Sequence, residues 1–185
     1  RDYYASRGLG DVYKRQKLET NNDENAGAKY SEWLKKGLLT VSEGNDIDLS
    51  MVADWFYKLY KDYNIKLWKC GYDQKFAKDF LTRMNYYGWS KKNDDMVMIL
   101  QNAETLNNAV KLCEADFQHQ LINFNDNDVD KWNLKNASLL VNNKGFCMLV
   151  KTEPSKKIDG AVTFVILYEM YRRYRTEYKQ MIGMR

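Results

Sequence analysis

An α/β fold, with helices covering a mixed sheet, is the reading this sequence favours, and three observations carry it. Ile65–Tyr72 and Met96–Leu100 are apolar runs of strand length. Longer segments around them repeat their apolar residues at helical spacing, so strands and helices alternate. Near residues 138–150, two apolar runs flank Asn142-Asn143-Lys144-Gly145, the pattern of a β-hairpin.

Composition bounds the rest. A chain of 185 residues suffices for one domain, and a hydrophobic content of 44% argues against disorder. No apolar run approaches the ~20 residues that span a bilayer, so no membrane partner is expected. No signal peptide is visible. Cys70, Cys113 and Cys147 are embedded in apolar sequence and read as reduced core thiols. One histidine and no Cys-x-x-Cys pair argue against a zinc site. The net charge of +4 permits a polyanionic partner without requiring one.

Residues 1–16 show no helical or strand period, and Gly10 to Gln16 resembles translated adaptor sequence. They are read as a non-native leader and set apart from the fold, the plainer alternative being a flexible terminus. Residues 17–27 are polar and read as a loop. Tyr30, Trp33 and Leu34 share a helical face, and Gly37 is placed to close that helix. Leu38–Val41 is a short strand candidate, followed by the turn residues Glu43-Gly44-Asn45. Asp48 reads as an N-cap, with Ile47 and Val52 spaced as a hydrophobic staple. Met51, Val52, Trp55, Phe56, Leu59, Tyr60 and Tyr63 then define an amphipathic helix.

After the first apolar strand, Phe76, Phe80, Leu81 and Met84 form a helix face that ends near Gly88. Leu106, Ala109, Val110, Cys113 and Phe117 form a further stripe, and Leu121–Phe124 reads as another short strand. The segment from Asp159 to about Tyr178 is β-branched at its start, but its length favours a helix.

Two aspartates stand out. Asp73 closes the first apolar strand, and Asp159 lies in Lys156-Lys157-Ile158-Asp159-Gly160, just before the apolar run Ala161–Tyr168. Carboxylates at a strand end and at a helix start can converge on one divalent cation. Hard oxygen ligands suit Mg²⁺ or Mn²⁺, ions that drive phosphodiester chemistry. Each aspartate also has a plainer reading: Asp73 as the cap of a helix beginning near Gln74, and Asp159 as a carboxylate favoured by a helix dipole. His119 reads as a helix-end residue and Glu169 as a solvated one. Tyr171-Arg172-Arg173-Tyr174-Arg175, with Lys179 nearby, reads as a solvated helix end, or alternatively as a track for a DNA backbone.

The order of these motifs resembles the C-terminal nuclease domain of the large terminase subunit of tailed bacteriophages. The resemblance runs from Tyr30-Ser31-Glu32-Trp33 and Gly37-Leu38-Leu39-Thr40 through Gly44-Asn45-Asp46-Ile47-Asp48 to Tyr72-Asp73. It continues with Trp132 and Asn136 ahead of the hairpin and ends with Lys157-Ile158-Asp159-Gly160-Ala161. It implies an RNase H-like fold in which Asp73 and Asp159 are catalytic ligands of two Mg²⁺ or Mn²⁺ ions. Lys156 and Lys157 would contact DNA phosphates, and Lys144 would sit on a DNA-guiding hairpin.

The implied function is that of a metal-dependent endonuclease cutting concatemeric double-stranded DNA. Its partners would be a portal protein and a small terminase subunit, in a host cytoplasm. The family's first acidic ligand lies on an upstream strand, and neither that strand nor the ATPase phosphate loop is found among these residues, so residues 17–185 would cleave weakly or not at all by themselves. Two further readings remain: a non-catalytic docking module of the motor, and another RNase H-like nuclease such as a resolvase or transposase.

Overall fold

The computed structural model describes residues 12–14, 27–42, 47–75 and 77–183. In chain order, its elements are β1 (Val12–Lys14), α1 (Tyr30–Lys35), β2 (Thr40–Ser42), α2 (Ser50–Tyr63), β3 (Cys70–Tyr72) and α3 (Lys78–Tyr86). β4 (Met96–Met98), α4 (Ala103–Gln118), α5 (Asp128–Asn136), β5 (Ala137–Val141), β6 (Cys147–Lys151) and α6 (Asp159–Gly183) follow. β1 pairs with β2 and β3 with β4 in parallel, while β5 and β6 form the expected antiparallel hairpin. The strands are thus mixed in sense, as read from the sequence, but they hydrogen-bond as three two-stranded ladders.

The parallel pair β3–β4 is the central layer. Cys70, Tyr72 and Met96 face Val52, Ala53 and Phe56 of α2 and Phe80 and Met84 of α3. On the opposite face Ile99 packs with Leu106, Ala109 and Val110 of α4 and with Val165, Ile166 and Met170 of α6. Gly71 belongs to this second face, where α6 approaches closely. A Cβ there would stand 2.7 Å from Met170 Cγ and 2.8 Å from Ile166 Cγ2. A separate aromatic core joins α1 to α5: Trp33 and Trp132 have ring centroids 5.5 Å apart, and Tyr30 packs edge-on to both.

Local chemistry explains the helix ends. Gly37, at φ +68°, closes α1 in a Schellman motif, with Leu38 N–H donating to Trp33 O and Gly37 N–H to Leu34 O. Asp48 is not the N-cap of α2 as expected: Leu49 holds that position, and the Asp48 carboxylate instead accepts the Ser50 N–H at 2.9 Å from one residue further out. Asn102 caps α4 by accepting the Thr105 N–H at 2.8 Å.

Several expectations are corrected. The strand before Asp73 is only Cys70–Tyr72, not Ile65–Tyr72. Asn64, in the left-handed region, ends α2. The chain from there to Lys69 is held by side chains: Trp68 packs on Tyr174 and Tyr178, and Lys69 Nζ reaches the Asp94 carboxylate. Leu121–Phe124 is not a strand. The Leu121 N–H bonds back to Asp116 O, and Asn125 and Asp126 are both left-handed, which no ladder accommodates.

The helix face ending near Gly88 starts at Lys78, later than Gln74; Phe76, and the turn 43–45, lie outside the described residues. Residues 12–14, within a segment lacking any strand period, do form a strand, because three residues of ladder need only backbone groups.

Candidate active site

β3 and β4 run parallel, so both strands release their chains at the same end, where open α/β sheets place their ligand crevices. The Ile99 N–H donates to Tyr72 O at 2.9 Å and locks the two ends in register. Asp73 leaves β3 there and Gln101 leaves the segment after β4. The Gln101 amide Nε2 donates to Asp73 Oδ2 at 3.0 Å. The other oxygen, Oδ1, receives the Lys75 N–H at a long 3.4 Å. α3 begins at Lys78 with Ala77 at its capping position, so Asp73 is not its N-cap.

Asp159 reaches the same place from α6, of which it is the first residue. Ile158 supplies the carbonyl that receives the first helical bond, from the Val162 N–H at 2.9 Å. Two asparagines of α5 grip this start. Asn133 Oδ1 accepts the Gly160 N–H at 3.0 Å, and Asn136 Nδ2 donates to Lys157 O at 3.0 Å. The close approach needs a glycine at 160, since a Cβ there would lie 2.9 Å from Asn133 Cγ. Asp159 itself is exposed, and among the described residues its carboxylate accepts no hydrogen bond and forms no ion pair.

Asp73, Gln101 and Asp159 line one cleft of about 260 Å³. Its walls are apolar, with Val52, Phe56 and Phe80 on the α2–α3 side and Ile166 and Met170 on the α6 side. Because it draws on both faces of β3 and on no residue of β4 itself, the cleft follows the β3 edge that β4 leaves open. The backbone groups of Cys70 and Tyr72 turn toward β4, as Cys70 N–H to Asp95 O shows. Alternation then turns Gly71's N–H and C=O toward the cleft. There, among the described residues, the Gly71 carbonyl meets only the Cys70 thiol, at 3.6 Å.

The lysines are placed differently. Lys156 and Lys157 are half-buried in the loop before Asp159, next to it in sequence, but they do not line the cleft. Lys144 is exposed at the hairpin tip, its Nζ 3.0 Å from Glu104 at the start of α4, also outside the lining. His119 is exposed in the capping position at the end of α4.

Glu169 is not solvated. It is fully buried, with Arg172 bonded to both its oxygens at 2.9 Å and Arg173 Nε 2.7 Å from Oε1. Burial pushes its pKa up, but the two arginines outweigh that and hold it below the ordinary glutamate value. The spacing of Glu169 to arginines at i+3 and i+4 was the available signal. Arg172 and Arg173 are therefore engaged within α6, and Arg175 lies over the Tyr171 ring. Cys70 and Cys113 are buried free thiols, each pushed up to about 12, chiefly by desolvation, as core thiols should be.

Fold and cleft together define a layered α/β domain with two carboxylates at the carboxyl end of its parallel strands. A family model described as "Terminase large subunit, endonuclease domain" matches residues 11–174, and the chain belongs to this family. It is 21% identical to Protein YmfN of Escherichia coli (strain K12), over 86% of this chain and 34% of the relative. It also resembles the crystal structure of the HK97 bacteriophage large terminase, at a TM-score of 0.73 and 21% identity, over 86% of this chain and 32% of that one. That likeness shows the fold, which is RNase H-like. The chain spans about a third of the length of both proteins.

Proposed function

We propose that this chain is the metal-dependent endonuclease domain of a viral DNA-packaging motor and that it cuts concatemeric double-stranded DNA. The observation that carries the reading is that Asp73 and Asp159, far apart in sequence, line one cleft. Their oxygen donors suit Mg²⁺ or Mn²⁺, and the donor set fits because no lysine or arginine neutralises either carboxylate among the described residues. Bound ions of this kind activate water and offset charge on the leaving oxygen of a phosphodiester. The chain's own part is to hold the two carboxylates on rigid elements. Lys156 and Lys157, and Lys144 at the hairpin tip, contact DNA phosphates in this reading.

Among the described residues, no group of three or more His, Cys, Asp or Glu side chains converges as a metal site. A further carboxylate therefore comes, in this proposal, from a strand upstream of the described motifs. The open edge of β3, with Gly71's backbone groups turned into an apolar cleft, suits such a strand. An ATPase domain, a portal protein and a small terminase subunit are the further partners proposed, in a host cytoplasm.

The test is cleavage of supercoiled plasmid in Mn²⁺ by the longer natural chain that carries the upstream segment. Asp73→Asn and Asp159→Asn should each abolish nicking. Cleavage surviving both changes sinks the proposal and favours the non-catalytic docking module. Cleavage that depends on both residues in a natural chain without an ATPase domain favours a resolvase- or transposase-like nuclease.

A further inference from the structure

We infer that Gln101 is a positioning residue, holding the Asp73 carboxylate in the orientation a divalent cation requires; the inference rests on the reading of Asp73 as a ligand. Among the described residues, the hydrogen bond from Gln101 Nε2 to Asp73 Oδ2, at 3.0 Å, is the only side-chain hydrogen bond to this carboxylate. Its origin is the strand register. Tyr72 lies opposite Met98, and the Ile99 N–H closes on Tyr72 O, which sets the segment after β4 beside Asp73. Asn102, next in sequence, is committed to capping α4, so the chain direction just after Gln101 is also fixed.

The chemistry of an amide fits this task. A carboxylate at the end of a strand is free to rotate about its terminal torsion, and a single donor on one oxygen removes that freedom. The donor is neutral, so it orients Asp73 without cancelling the charge a cation needs. A lysine or arginine in its place would form an ion pair in competition with the metal. Oδ1, which among the described residues receives only the long backbone contact from Lys75, keeps its lone pairs available. Groups that orient a metal-binding carboxylate in this way typically account for ~10–100-fold in metal affinity.

The test measures Mn²⁺ binding, by the electron paramagnetic resonance signal of free Mn²⁺, to the same longer chain used in the cleavage assay, which carries the proposed further carboxylate. Wild type, Asp73→Asn and Gln101→Met are compared, with thermal unfolding of each as a control. Methionine keeps the length of glutamine and removes the donor. Because Gln101 is exposed, a merely structural role predicts neither weaker binding nor a change in melting. The expected result is binding that Asp73→Asn removes and Gln101→Met weakens ~10-fold, with an unchanged melting temperature. Wild-type affinity in Gln101→Met, with Asp73→Asn still deficient, overturns the positioning role while the ligand reading stands. Binding indifferent to Asp73→Asn, or no binding at all, overturns the ligand reading and the inference with it.

Discussion

The contact between Gly160 and Asn133 allows a quantitative test of how α6 is seated. Asn133 is 2% exposed, and its side chain makes two bonds: Oδ1 takes the Gly160 N–H and Nδ2 gives to Val129 O, both at 3.0 Å. Asn133→Ala leaves the Gly160 N–H, an orphan donor of the first helical turn, without its partner, at a cost of ~1–3 kcal/mol. Gly160→Ala alone places a methyl 2.9 Å from Asn133 Cγ and 3.0 Å from Nδ2. Overpacking of that kind costs ~1–3 kcal/mol, from which the better helix propensity of alanine returns about 1 kcal/mol.

In the Asn133→Ala background, Cγ and Nδ2 are gone and only Cβ, at 3.3 Å, remains near the new methyl. Gly160→Ala should then be neutral or slightly stabilising. The two changes are therefore coupled by about 2 kcal/mol, within the range seen for contacting residues. Urea denaturation followed by circular dichroism measures all four corners of the cycle. In thermal unfolding the first Gly160→Ala lowers the midpoint by several degrees, at roughly 2–4 °C per kcal/mol for a chain of this size, and the second does not. Additivity within ~0.5 kcal/mol would refute the packing argument.

Two further predictions concern the same helix. Gly71→Ala drives a Cβ to within 2.8 Å of both Met170 and Ile166, so it should destabilise the fold by ~1–3 kcal/mol, and shortening Met170 to Ala in the same chain should relieve part of that loss in a denaturation cycle. Glu169→Gln should reduce stability at about neutral pH. Because the native glutamate titrates below its ordinary value of 4.5, the wild-type advantage is present above that value and fades as pH falls through the native pKa. Urea midpoints of both proteins across an acidic pH series should converge at the low end, and a gap that stays constant would show that the charge of Glu169 contributes nothing.

Much of this architecture is legible in the sequence where burial is apolar and local. α2 and α4 were readable because Val52, Ala53 and Phe56, and Leu106, Ala109, Val110 and Cys113, repeat on one face. The hairpin was readable from its turn residues. Helix α5 was not, because half of its buried face is polar: Asn133 and Asn136 lie inside only because they serve the backbone of Gly160 and Lys157, distant in the chain. Gln101 was missed because its partner is set by the register of a parallel pair, which the sequence does not print. The candidate site is legible to the extent that Asp73 ends a strand and Asp159 begins a helix. Nothing in either segment says that the two share a cleft.

That sharing depends on α6 more than on any loop. The helix is gripped at its start by Asn133, along its length by the absence of a side chain at Gly71, and near its end by Trp68 against Tyr174 and Tyr178. Its charges are settled internally by Glu169 with Arg172 and Arg173, so α6 can lie against β3 without an unpaired buried carboxylate. Asp159 and Asp73 are thus fixed to two elements that are themselves packed on each other. Lys156 and Lys157 lie in the loop before α6, and Lys144 at the hairpin tip, outside the cleft that holds the two carboxylates. On the proposed reading this arrangement divides the work of phosphodiester chemistry: carboxylates on packed elements place the reacting phosphate closely, while lysines outside the cleft need only hold its neighbours.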